Sequence, residues 1–229
     1  MPLTRRYEAA WLAPSGEIKT STRMAPATPQ FEEAFSALGR GSLILTEDGP
    51  IAVEDLLPGM HVLTAEGRTE PIVWIGSMTL YPGQTLPDAE PVSLTRITAD
   101  AFGQGKPMPD LVLGPRARLL LRDARCKPIT GEDTAYAPAR AFGDGCSVIE
   151  VTPAAPVAVY HLALARQGTL RVMGMEIESY HPGEGIESMM EPRLLSLFIA
   201  LFPHLDCLAD FGPMAHPRMT RFEVERMIG

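Results

Sequence analysis

The sequence contains no asparagine, and several other residues that would narrow its function are scarce. Cysteine is limited to Cys126, Cys146 and Cys207. They are odd in number, far apart and never in a Cys-x-x-Cys pair, which argues against a disulfide framework or a zinc site and fits reduced thiols. The histidines His61, His161, His181, His204 and His216 show no metal spacing either, so neither metal nor cofactor is expected. Positive charge is in deficit: 20 Lys and Arg against 28 Asp and Glu give a net charge of -8. An acidic chain repels nucleic acid and anionic membranes, so neither is an expected partner. Arg116, Arg118, Arg122 and Arg125 are the only candidate basic patch, and at strand spacing they read as a solvated face. The longest apolar run, residues 194–202, is interrupted by Ser196 and falls far short of the roughly 18 residues that a spanning helix needs. Arg5 and Arg6 are followed by Glu8 and only a short apolar stretch, which is not a secretory signal. The expectation is a cytoplasmic protein, with non-classical secretion left open.

What is present describes a globular chain of 229 residues, 45% hydrophobic and 21% charged. That is long enough for one large β domain with appendages or for two small domains. The 22 prolines and 20 glycines cut it into short segments, a pattern of many short strands and tight turns. Residues 1–30 read as a leader and linker, with a turn at Pro14-Ser15-Gly16-Glu17. Residues 30–38 (QFEEAFSAL) space Phe31, Ala34, Phe35 and Leu38 for a short helix. Strands are expected at 42–46, 51–53, 61–64, 72–75, 92–97, 111–113, 117–121, 147–151, 157–164 and 169–173, with a helical turn at 53–59. Trp74 reads as core filling. From Glu187 the pattern turns helical, with Met190, Leu194, Leu195, Phe198, Leu201 and Phe202 on one face, and residues 222–227 add a last short helix.

Residues 41–64 (GSLILTEDGPIAVEDLLPGMHVLT) resemble the opening motif of bacterial Hint (hedgehog/intein-type) domains. Residues 71–76 (PIVWIG), 110–121 (DLVLGPRARLLL) and 160–183 (YHLALARQGTLRVMGMEIESYHPG) match three further blocks in order and spacing. The resemblance covers about residues 35–183. It implies a mainly β fold, a horseshoe or sandwich of many short strands, here with a short N-terminal helix and a helical tail. The implied division is a leader at 1–30, the Hint-like domain at 31–183 and a helical extension at 184–229.

The family's chemistry requires a cysteine nucleophile, a Ser/Thr and histidine in the second block, and acid and histidine groups in the last. This chain departs at each of these positions. Ala37 stands at the cysteine, Gly114 at the Ser/Thr and Ala117 at the histidine. Ala165, Gln167 and Gly168 stand at the Asp, His and Glu of the last block. Splicing also ends on an asparagine, rarely a glutamine, and the chain has no asparagine. The expectation is therefore a domain without self-cleavage or splicing, not an enzyme, that binds a protein, peptide or ligand in a vestigial pocket near Ser36, Arg116 and His161. One alternative is autoprocessing or peptidase activity that uses Ser36 as nucleophile and His161 as base. Another is a structural protein, monomer or homodimer through the C-terminal helix. His181 reads as a turn residue, and Glu176 and Glu178, on one strand face, as surface charge, with Asp110 a third carboxylate nearby.

Overall fold

The computed structural model describes residues 3–82 and 93–229. In chain order its strands begin with β1 (Thr4–Leu12), β2 (Ile18–Pro26), β3 (Leu38–Gly39), β4 (Leu43–Thr46), β5 (Gly49–Ala52), β6 (His61–Leu63) and β7 (Thr69–Leu80). They continue with β8 (Leu94–Ile97), β9 (Leu111–Leu113), β10 (Arg118–Arg122), β11 (Thr134–Pro138), β12 (Val148–Val151), β13 (Val157–Leu164), β14 (Thr169–Val172) and β15 (Met175–Glu178). The helices are short: α1 (Pro29–Glu33), α2 (Lys127–Thr130), α3 (Ile186–Met189), α4 (Pro192–Ile199) and α5 (Arg221–Ile228). The fold is mainly antiparallel β, as expected.

Pairing runs from β11 at one end to β12 at the other, in the order β11-β10-β15-β14-β4-β6-β7-β13-β3-β9-β8-β12. The long β7 joins the two halves. Its first residues pair with β6, and the rest lie between β1 and β13. Its burial alternates with strand period: Ile72, Trp74, Met78 and Leu80 are buried, with Ser77 and Thr79 between them less so.

The first thirty residues, expected as a leader and linker, contain two strands. β1 and β2 form a hairpin through the turn at Gly16, and β1 docks on β7 with Trp11 opposite Trp74. Strand alternation sets its burial: Tyr7 and Ala9 point inward, while Arg6 and Glu8 point out and pair with each other. The expected helix over 30–38 is also shorter. Pro29 at its first position starts it, but from Ser36 the backbone is captured by β13 and β9, and β3 replaces the last turn. The expected strand at 92–97 begins outside the described residues, and Leu94–Ile97 forms its described part.

Two large cores result. One packs Ile44, Val62, Ile72, Leu113, Leu162 and Ile177 between the strands. The other is aromatic and unites all three parts of the chain: Tyr7 from the hairpin, Phe31, Phe35 and Trp74 from the middle, and Phe198 and Phe202 from the tail. Phe31 meets Phe198 edge-on at 5.6 Å, and Trp74 donates its indole N–H to Leu201 O at 3.0 Å. The expected continuous tail helix is broken into α3 and α4. The residue before a proline avoids helical backbone, and Glu191, before Pro192, is extended at φ -62°, ψ 146°. No helix among the described residues is long and apolar enough to cross a membrane.

Candidate functional site

β3 lies between β13 and β9, and this brings the first and second blocks together. Ala37 N–H donates to Tyr160 O at 3.0 Å, Gly114 N–H to Ala37 O at 2.8 Å, and Arg116 N–H to Ser36 O at 3.0 Å. The peptide bond between Ser36 and Ala37 is thus held by backbone donors on a strand-like ladder. Ser36, Ala37, Gly114 and Ala117 are all buried. Gly114 is required by the close approach, because a Cβ there would overlap the Ser36 carbonyl oxygen.

Ser36 and His161 are both buried beside this junction, but each is committed elsewhere. The Ser36 hydroxyl donates to Glu32 O at 2.7 Å. His161 Nδ1 lies 2.8 Å from Glu33 O, and Nε2 lies 3.4 Å from Glu178 O. Burial holds the imidazole below its ordinary pKa, against the pull of those acceptors and of the Glu178 and Glu33 carboxylates. No hydrogen bond joins Ser36 to His161 among the described residues. Arg116 is half-buried, with its Nε lacking a hydrogen-bond partner.

The last-block positions lie elsewhere. Ala165 follows the last residue of β13, beyond a register shift between Ala163 and Leu164, and its N–H bonds Pro71 O at 3.0 Å. Gln167 Nε2 donates to Ser179 O at 3.2 Å, and its Oε1 accepts from Ala215 N–H at 2.6 Å. Gly168 N–H donates to Ser179 Oγ at 3.1 Å. Beside them Glu66 accepts from the Thr169 hydroxyl at 2.6 Å and faces His216 Nε2 at 3.5 Å. Burial would raise the Glu66 pKa, but the hydrogen bonds from His216 and Thr169 outweigh it and hold the carboxyl at about 2.

A buried ion cluster was not legible in the sequence. Glu178, expected on the surface, is 1% exposed. Arg218 Nε donates to it at 2.9 Å, Arg118 Nη1 lies at 3.6 Å, and Arg118 also binds Glu33. Burial would raise the Glu33 pKa, but Arg118 and Arg218 overcome it and hold the carboxyl below its usual range. The remaining expected patch is neutralised locally: Arg122 pairs with Glu176 and Arg125 with Asp123. Asp110 binds Arg96, away from Glu176 and Glu178. His181 sits in its turn, with Nδ1 accepting from Gly183 N–H and Nε2 facing Gly212 O.

Residues 36–184 match the family model described as the Hint domain. The chain belongs to the Hint domain family. Among curated proteins none matches. Two solved structures are similar at 13% identity. A bacterial intein-like domain from Clostridium thermocellum has a TM-score of 0.42, with 64% of this chain and 99% of that one covered. The MchDnaB-1 intein has a TM-score of 0.38, with 62% of this chain and 98% of that one covered.

In this Hint domain one open groove lies beside the ion cluster. A groove of about 710 Å³ runs between Gln30 and Glu33 of α1, the turn from Tyr180 to Glu184, and the tail from Met214 to Thr220. Its chemistry is mixed: Glu33, Glu184, His216 and Arg218 beside Tyr180, Ile186 and Met189. No set of three or more His, Cys, Asp or Glu side chains among the described residues could hold a metal ion. Cys126 is buried, while Cys146 and Cys207 are exposed free thiols.

Proposed function

We propose that this Hint domain does not cleave or splice itself and acts by binding a protein or peptide. The observation that carries the reading is the contact of Gly114 with Ser36. The second-block backbone rests directly on the carbonyl of the 36–37 bond, in the space where the family's Ser/Thr side chain would start. Ala37 offers a methyl group where attack needs a thiol, and Ala117 offers no acid for the departing amine. The 36–37 carbonyl still accepts an N–H from Arg116, so one polarising donor remains without a nucleophile. A scaffold of this kind keeps its shape and its groove, and recognition is the function those features serve.

The test is intact mass of the purified chain over several days, with and without dithiothreitol or hydroxylamine. A single unchanged mass supports the reading. Release of the segment ahead of Ala37, accelerated by either nucleophile, would overturn it.

A further inference from the structure

Residues 214–219 (MAHPRM) lie on the rest of the chain as a bound peptide lies on a receptor. β11 is the end strand of the sheet order, and an end strand offers unpaired backbone groups to which extended peptides add. Tyr136 N–H donates to Pro217 O at 2.8 Å, and Met219 N–H donates to Tyr136 O at 2.9 Å. That is a parallel bridge opposite Arg218. Upstream, the Gln167 amide oxygen takes the Ala215 N–H.

Consecutive side chains then enter two pockets of different chemistry, as strand alternation dictates. Arg218 reaches Glu178 at 2.9 Å and Glu33 at 3.5 Å, and its Nη2 donates to His181 O at 2.6 Å. Gly183 makes room, since a Cβ there would lie 2.8 Å from Arg218 Nη1. Met219, 2% exposed, turns the other way among Cys126, Ala135, Ala137, Ala141 and Val224. Upstream, Phe211 anchors the chain in the aromatic core. Gly212 and Pro213 are exposed, and α5 buries only Val224 while Phe222 stands 70% exposed.

We propose that the β11 edge, the Glu178 and Glu33 carboxylates and the Met219 pocket together form a peptide-recognition site that the chain's own residues 214–219 occupy in cis. Its partner is an extended peptide in which an arginine is followed by an apolar residue. The proposal rests on the binding reading above and names the partner's chemistry. Glu178 and Glu33 set the first preference, because a planar guanidinium can serve both carboxylates and the His181 carbonyl together, which a single ammonium point charge cannot. The alanine-lined pocket sets the second. The tethered segment makes the site selective, since a partner must outcompete a strand at high effective concentration.

The experiment keeps every residue of the chain. A protease site is inserted between Gly212 and Pro213, the protein is cut there, and a fluorescein-labelled synthetic peptide of residues 213–229 is titrated into cut and uncut forms. The cut form should take up the peptide about tenfold more tightly, or better, than the uncut form, with native tryptophan fluorescence retained. The same peptide carrying Arg218→Ala should bind at least about tenfold more weakly. No uptake by the cut form, uptake only as native fluorescence is lost, or equal binding of the two peptides would each overturn the proposal. Intact mass of the uncut form is followed in parallel. Self-cleavage there would defeat the non-cleaving reading, whereas a stable mass without peptide exchange defeats this inference alone.

Discussion

Arg218 donates its Nε–H to Glu178 at 2.9 Å across forty residues of sequence, and the carboxylate it meets is 1% exposed. The tail thus supplies a positive charge that the sheet cannot do without, because Arg118, at 3.6 Å, already serves Glu33. Removing one partner of a buried ion pair leaves the other uncompensated. Arg218→Ala should therefore cost about 3–5 kcal/mol, read from urea midpoints. Replacing both charges by apolar groups, Arg218→Met with Glu178→Leu, should cost less than the single change. A single variant as stable as the parent would show that the pair is not desolvated as described.

Glu66 sets an acid limit. Its folded pKa of about 2 lies below the ordinary 4.5, so the folded state binds this proton less tightly than the unfolded chain does. Its contribution is complete above pH 4.5 and is lost as pH falls from there toward 2. At 1.36 kcal/mol per unit, and with solvent screening of a half-buried carboxylate, the contribution is on the order of 1–2 kcal/mol. Glu66→Gln should flatten the dependence of stability on pH in that window. An unchanged slope would assign the acid sensitivity to other carboxylates, Glu33 first.

The strands that sequence periodicity revealed were those with alternating or continuous β-branched and aliphatic residues, such as 157–164 and 169–172. β11 escaped because Thr-Ala-Tyr-Ala-Pro has little strand propensity of its own, and pairing with β10 holds it in place. The hairpin of β1 and β2 was obscured by charged outward residues and by the prolines at 26 and 29. At the site, the resemblance set Ala37 and Gly114 in separate blocks, and pairing of β3 with β9 puts them in backbone contact. The resemblance could not show that Ala165 and Gln167 lie at the far end of β13. Nor could it reveal Glu178, whose burial depends on Arg118 one strand away and on Arg218 in the tail. Only tertiary structure brings those charges together.

Restoring the nucleophile alone should not restore chemistry. Ala37→Cys places a thiol in a fully buried site where His161 is already engaged with the Glu33 and Glu178 carbonyls, and groups that act as a unit are strongly non-additive. The added sulfur should cost about 1–3 kcal/mol through overpacking, with no mass change after incubation with hydroxylamine. Gly114→Ser should destabilise further, because its Cβ meets the Ser36 carbonyl. Rapid hydroxylamine-sensitive cleavage of Ala37→Cys would mean that the scaffold still activates a nucleophile.

The tail helix offers the sharpest separation of packing from assembly. Phe198, Leu201 and Phe202 are 0%, 2% and 1% exposed within a single chain, seated against Phe31, Trp74 and Tyr180. A face already covered in this way has little left to offer a second copy. Phe198→Ala removes a ring that meets both Phe31 and Phe202 edge-on. The cost should be about 3–5 kcal/mol. Because the loss is within one chain, the oligomeric state measured by light scattering should be the same before and after the substitution. A parent dimer that this substitution converts into a folded monomer would place Phe198 at an interface between copies, and the intrachain packing would then be the wrong account of what covers the tail.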